Sequence, residues 1–275
     1  MTDTATRVQL PRATPRVVSP TRAYFLVVEG YWTWYKRNWK ATVVSSVGLP
    51  ILYLLAMGLG FGSQVRPGAL TGGVTYLQYL TPALIAMAAT QTASAEATFP
   101  VLSGFKWQKH YLGMAATPIT PVQIVGAHFV WITFRLILAC GVFLAVAAAL
   151  GAVTSAAVLL SLLFGILTGL AFGAPVVAFA ASIKGEGNAF NPFFRFVLVP
   201  MTLFAGTFFP VSALPAVIRP IAWITPLWHG TELARGAEFG TLRLWPTIGH
   251  LAYLLALTAV GIGLSRWRFR VRLAG

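Results

Sequence analysis

Six long apolar runs leave this chain one environment in which to fold. They cover 42–61, 74–98, 122–150, 155–182, 193–209 and 247–264. A helix needs about 20 apolar residues to cross the hydrocarbon core of a bilayer, whereas a transmembrane strand needs about half that. In lipid each backbone amide must be satisfied internally, which helices of this length achieve by themselves. The runs therefore predict an all-α integral membrane protein with six transmembrane helices. Pro50 is placed to kink the first span, and the fifth, 193–209, is short for a crossing. Composition agrees, with 57% hydrophobic and only 9% charged residues, against about 25% charged in a soluble domain.

The charge that remains is strongly basic, with a net +14. In a soluble chain that would point to nucleic acid. Here Lys and Arg flank the apolar runs, which points to membrane orientation and anionic lipid instead. With both termini on the inner side of the cytoplasmic membrane, fifteen basic residues face inward and four face outward. Arg135 belongs to neither side. Cys140, the single cysteine, excludes a disulfide within the chain and a cysteine metal cluster. The first twenty residues are polar and contain Pro11, Pro15 and Pro20, so no cleavable signal peptide is expected.

Between and before the spans lie three segments of a different kind. Residues 1–20 read as a disordered basic cytoplasmic tail. Residues 21–40 read as an amphipathic helix. Arg22, Glu29, Thr33, Lys36 and Lys40 share one face, Tyr24, Val28, Tyr31 and Tyr35 lie roughly opposite, and Trp32 and Trp34 flank the apolar side. That pattern suits a helix lying in the membrane interface, with a plain juxtamembrane anchor as the alternative. The transmembrane domain follows from 41 to 275 and ends in a short basic cytoplasmic C-terminus. Residues 210–246, divided by Pro210, Pro215, Pro220 and Pro226, read as short helices dipping into the outer leaflet near an exit path, or as an aromatic belt.

The third segment, 96–121, joins the second and third spans and falls on the cytoplasmic side. If 105–113 is helical, Lys106, Lys109, His110 and Gly113 share one face, at offsets of three, four and seven residues. Trp107, Tyr111 and Leu112 point elsewhere. Pro100 can enter such a helix, and Pro118 and Pro121 stop it. The segment is either a membrane-surface loop or a docking element for another protein.

The chain holds no phosphate-binding loop, nucleophile elbow or zinc-protease signature. His110, His128, His229 and His250 sit on different segments, which argues against a metal site. Six acidic residues are too few for a proton relay along several spans. Arg135 lies inside the third span, where an ionised side chain is costly. It marks a polar cavity, a partner interface or a structural pair with carbonyls. Glu96, at the inner end of the second span, either pairs with a base or orders the loop after it. His229 and Glu232, spaced i, i+3, serve as a local cap or a binding pair in the outer segment.

Four blocks carry a family resemblance: LPILYLLAMGLGFG (49–62), YLQYLTPALIA (76–86), ATFPVLSGFKWQKHYLGMAATPITPVQIVGAHFVW (97–131) and GTFFPVSALPAVIRPIAWITPLWHGTELARG (206–236). In these blocks and their order the chain resembles the permease subunit of ABC-2 type exporters, in their NodJ-like, lipooligosaccharide-exporter branch. The resemblance implies a type V exporter-like fold and a dimer with a second permease copy or a paralogue. It also implies two copies of a separate ABC ATPase, which bind ATP and Mg; this chain would hold no cofactor and perform no catalysis. Phe105, Lys106, Trp107, Lys109, His110 and Tyr111 would form the coupling helix that docks into the ATPase. Residues 21–40, with Glu29, Tyr31, Trp32 and Trp34, would form a gate helix beside it. The cargo class implied is a lipid-linked glycan, polyketide or amphipathic drug moved outward. Two other readings stay open. One is a membrane-embedded lipid-modifying enzyme built on His229, Glu232 and Arg235. The other is a non-catalytic scaffold.

Overall fold

The computed structural model describes residues 19–65, 68, 71 and 73–274, with only the backbone course given for 20 and 41–47. The expected disordered tail therefore lies outside the described residues, apart from Ser19 and Pro20, and so does Arg66. No strand occurs among the described residues.

Helix α1, Pro20–Tyr53, starts where the Ser19 hydroxyl accepts the Arg22 amide at 3.4 Å, with Pro20 in the first turn. It runs on without a break, so the expected interfacial helix at 21–40 and the start of the first span are one helix. The correction has a simple cause: no glycine pair or proline interrupts 31–49. Beyond Pro50, which has no amide hydrogen to donate, the bonding register changes. A π-helical stretch, Leu54–Gly60, and a 3-10 turn, Phe61–Gln64, complete the run.

Local caps set the next boundaries. Helix α2, Tyr76–Ala97, begins on a capping box in which Thr75 and Gln78 exchange backbone and side-chain hydrogen bonds. Short helices α3, Phe99–Phe105, and α4, His110–Ala115, follow. Helix α5, Pro121–Ala149, repeats the capping box with Thr120 and Gln123, and Pro121 stands at its first position. Helix α6 is Val158–Ser182. The fifth apolar run is less regular: α7, Phe190–Phe193, a π-helical turn, Phe194–Leu198, and α8, Val199–Phe204. It stops short of the expected residue 209 because Gly206 adopts φ +84°, outside helical space.

The 210–246 segment is broken as its prolines predict. A 3-10 turn, Val211–Ala213, precedes α9, Arg219–Trp223, and α10, Pro226–Glu238, which is capped by Thr225. Helix α11, Leu244–Leu273, then carries the last span. The basic C-terminus is no loose tail, since RWRFRVRL continues that helix.

Three helices among the described residues are long and apolar enough to cross a membrane: α5, α6 and α11. Gly48–Gln64 and Phe190–Phe204 are shorter apolar helices. Helix α2 is buried along most of its length among α5, α6 and α10, and α6 packs on α11. Polar side chains point inward: Thr81, Thr90, Thr92, Ser94 and Thr168 are buried, whereas Val130, Leu163, Leu255 and Val260 are exposed. Thr90 and Thr168 donate to the carbonyls four residues back, at 2.9 and 2.6 Å. Such an inside-out distribution suits a protein whose solvent is lipid.

Candidate functional site

The 96–121 stretch folds as a compact knob rather than one helix. The amides of Trp107, Gln108 and Lys109 converge on the Ser103 carbonyl at 3.2, 2.9 and 3.4 Å and close α3. Lys109 then turns into left-handed backbone, φ 55°, the single non-glycine residue among those described to do so, and α4 starts in a new direction. Lys106, Lys109 and His110 therefore do not share one helical face, which corrects the sequence expectation. Left-handed backbone costs a residue with a Cβ roughly 1–2 kcal/mol, so the surrounding contacts must hold the turn.

Those contacts form an aromatic root. Tyr111 is fully buried, with ring centroids 4.9 Å from Phe105 and 5.2 Å from Phe269 of α11. Phe269 also meets Phe105 edge-on at 4.8 Å. The Arg272 guanidinium lies 4.2 Å from the Phe105 ring centre and donates to the Ala181 carbonyl at 2.9 Å. On the other side the Tyr31 hydroxyl donates to the Tyr111 hydroxyl at 3.3 Å, and His128 Nδ1 lies 3.3 Å from Tyr31 and 3.5 Å from Tyr111. Three distant segments, α1, α5 and the C-terminal end of α11, thus meet on one tyrosine. Burial holds His110, edge-on to that ring, below the ordinary histidine range.

The knob also has a tip and a latch. Trp107 and Leu112 are exposed, at 48% and 43%, and Lys109 beside them is exposed as well. Of the six residues expected to dock, Phe105 and Tyr111 are internal, His110 is half-buried, Lys106 and the exposed Trp107 share one tie, and Lys109 is exposed. The tie is Glu186, in the 183–189 loop. Lys106 Nζ lies 2.5 Å from Glu186 Oε1, and Trp107 Nε1 donates to Oε2 at 3.1 Å. The Lys106 hydrogen bond, then that of Trp107, lowers the Glu186 pKa below its usual value. Because the folded pKa is depressed, the latch is at full strength above the ordinary glutamate range. It is lost as pH falls through the lowered value. Glu186→Gln is expected to leave the melting temperature unchanged, since the pair is solvent-exposed, while amide exchange at 106–109 speeds up. Unchanged exchange in hydrogen–deuterium measurements would remove the latch.

Along α1 the buried stripe begins one residue before the predicted Tyr24 and Val28, which are only partly buried. Ala23, Val27 and Tyr35 are buried, and Tyr31 stacks on Trp131 at 5.6 Å. Trp32 stacks on Tyr35 and meets Phe134 edge-on. Glu29, on the polar face of the pattern, is exposed, and so is Trp34, which the pattern places beside the apolar side.

Glu96 and Arg135 find each other. Arg135, 2% exposed, donates through Nε to Glu96 Oε1 at 2.8 Å, and Trp131 Nε1 donates to Oε2 at 3.3 Å. The Arg135 guanidinium also sits 4.9 Å from the Tyr35 ring centre. The pair joins α2, α5 and α1. The sequence marks both residues without pairing them; two lone opposite charges in apolar runs were the available signal.

At the far end of the bundle two of the four histidines, on different helices, meet. His229 and His250 face each other with Nδ1 atoms 2.7 Å apart, His229 Nε2 is 3.0 Å from the Trp223 carbonyl, and Tyr253 stacks on His229 at 3.9 Å. No group of three or more metal-ligating side chains occurs among the described residues. Glu232 lines a cavity with His250 and Arg235. Arg235 is committed to carbonyls, donating to Gly206 at 2.6 Å and Thr207 at 2.7 Å, with the Tyr79 ring centre 3.9 Å away. No hydrogen bond joins His229, Glu232 and Arg235 to one another among the described residues. Glu238, which sequence reasoning missed, accepts from the Thr154 amide and hydroxyl at 2.9 and 2.6 Å and from the Ser155 amide at 3.2 Å. It pins the α5–α6 turn to α10.

This arrangement of apolar spans, a folded knob between α2 and α5 and a broken segment before α11 has a match over most of its length. The family model for the ABC-2 type transporter matches residues 22–239. The chain belongs to the ABC-2 type transporter family. It is 27% identical over 252 residues to nodulation protein J of Rhizobium meliloti (strain 1021), covering 88% of this chain and 94% of that protein. It is 31% identical over 216 residues to nodulation protein J of Rhizobium leguminosarum bv. viciae, covering 75% and 81%. The resemblance carried by the four sequence blocks is thereby established. As a family member the chain is a transmembrane component of a transporter; the knob and the α1 face fall within the matched region, and the C-terminal end of α11 lies beyond it.

Proposed function

We propose that this chain is the permease subunit of an ABC exporter with six membrane spans and both termini in the cytoplasm. It moves an amphipathic or lipid-linked substrate outward across the cytoplasmic membrane. Two copies of a separate ATPase subunit bind ATP and Mg and hydrolyse the nucleotide. Two permease chains, identical or paralogous, enclose the path. The inward excess of basic residues supports the orientation.

The observation that carries the reading is the knob. Its tip exposes Trp107, Lys109 and Leu112, and its buried root is continuous with α1, α5 and α11. A surface built in this way can receive a push at the tip and deliver it to three helices. Contact energy in such interfaces concentrates in a few residues, with Trp prominent among them. In a pull-down of the ATPase encoded beside it, the double variant Trp107→Ala, Lys109→Glu is expected to lose at least about tenfold in affinity, a change of about 1.4 kcal/mol. Deletion of 105–111 is expected to abolish association. Full retention of the ATPase by both variants would overturn the docking role.

A further inference from the structure

Two cavities meet at the end of α2 opposite the knob. The larger, about 670 Å³, lies between the π-helical end of the first apolar run, the start of α2 and the 203–210 turn. Tyr53, Met57, Phe61, Leu203 and Phe208 are among its lining residues, and none of the described residues that line it is charged. The Tyr76 hydroxyl in its wall is already spent, donating to the Phe208 carbonyl at 2.8 Å. The smaller cavity, about 330 Å³, is lined by Glu232, Thr241, Arg243, Thr247 and His250 together with Arg235. Tyr79 and Pro210 line both and form the shared wall. Arg235 stiffens that wall by clamping the Gly206 and Thr207 carbonyls over the Tyr79 ring. The volumes suit small-molecule sites, which run from roughly 300 to 1,000 Å³ and are largely apolar with a few placed polar groups.

We propose that the paired cavities are one binding site for a single-chain amphiphile, with its alkyl chain in the larger compartment and an uncharged, hydroxyl-rich head in the smaller. The chain assignment follows from the lining, because a charged or strongly hydrogen-bonding group in the larger cavity would lose its water without a partner. The head assignment follows from the balance of the smaller cavity. Glu232 stands against Arg243 and Arg235, the latter already committed to the Gly206 and Thr207 carbonyls, so a charged head of either sign meets a like charge. A polyhydroxyl head donates to Glu232 and accepts from Arg243. That the bound amphiphile is cargo rests on the exporter reading above; that it binds does not.

The test uses the full-length chain in lipid nanodiscs without nucleotide or ATPase. The probe is a dodecyl glucoside carrying a diazirine in its alkyl chain, and labelled residues are mapped by mass spectrometry. Saturable labelling at Met57, Leu203 and Phe208 is expected, competed by dodecyl maltoside but not by dodecyl sulfate or dodecylphosphocholine. Met57→Trp with Leu203→Trp fills the larger cavity and should weaken probe binding at least about tenfold. Glu232→Gln with Thr247→Val should weaken the glucoside while leaving a headless diazirine-alkane unchanged. Unsaturable labelling spread over the exposed faces of α5 and α11 overturns the site on the unaltered chain, whatever the variants do. Equal competition by the charged dodecyl compounds overturns the head assignment. Mapped, saturable labelling in a chain that binds no ATPase would leave the site standing and fell the exporter reading, whereas ATPase binding without such labelling would do the reverse.

Discussion

Arg135→Ala is expected to destabilise the chain by about 3–5 kcal/mol, and Glu96→Ala by a comparable amount. Either substitution strands the other charge inside a helical bundle, where an ionised side chain is costly. Arg135 is 2% exposed and its Nε lies 2.8 Å from Glu96, so the penalty falls on an almost fully desolvated group. The double variant Glu96→Gln, Arg135→Met should recover much of the loss, because two buried charges are then removed together. Arg135→Lys should not be silent, since an ammonium offers neither the planar fork toward Glu96 nor the guanidinium face that Tyr35 meets at 4.9 Å. The measurement is a double-mutant cycle on detergent-solubilised chain, followed by reversible unfolding. A coupling energy within about 0.5 kcal/mol of zero, the additivity found for independent sites, would show the pair to be incidental.

Side-chain pairing was the part of this protein least legible in its sequence. The span boundaries were largely visible because their causes are local. The apolar pattern predicts 74–98 and 122–150, and the helices are Tyr76–Ala97 and Pro121–Ala149. Thr75 with Gln78, and Thr120 with Pro121 and Gln123, write those starts within a few residues. The family resemblance was equally visible, since it rested on contiguous blocks. The break in 105–113 was not. Nothing within that stretch requires Lys109 to turn left-handed; the requirement comes from Tyr111 packing back against Gly104 and from Phe269, more than 150 residues away in sequence, filling the space beneath. The merging of the 21–40 helix with the first span escaped notice for a related reason. Amphipathicity distinguishes the two halves chemically, but no breaking residue separates them. Glu238 escaped because its partners, Thr154 and Ser155, lie in a turn with no charge to advertise it.

Tyr111 is where the remaining mechanical argument converges, and Tyr111→Ala is expected to cost about 3–5 kcal/mol, as aromatic-to-alanine changes in cores do. The ring fills the space over Gly104, where an added Cβ would come within 2.3 Å of it. Without the ring, Phe105 and Phe269 lose their common neighbour, and α3 loses its reason to end where it does. Tyr111→Phe separates packing from hydrogen bonding. It keeps the ring and removes the hydroxyl, and Tyr31 keeps His128 Nδ1 at 3.3 Å as its partner, so a loss of about 1 kcal/mol is expected. The two variants should also divide in function. If a push on Trp107 and Lys109 reaches α1 through the Tyr31–Tyr111 contact and α11 through Phe269, Tyr111→Ala should leave the ATPase bound and hydrolysing while export per ATP falls at least about tenfold, a change of about 1.4 kcal/mol. Tyr111→Phe should weaken the α1 branch alone and lower export by less. Reconstituted vesicles with both permease and ATPase measure the ratio directly. Export per ATP that is unchanged in Tyr111→Ala would mean that the knob docks but does not transmit, and would move the coupling to α1 itself.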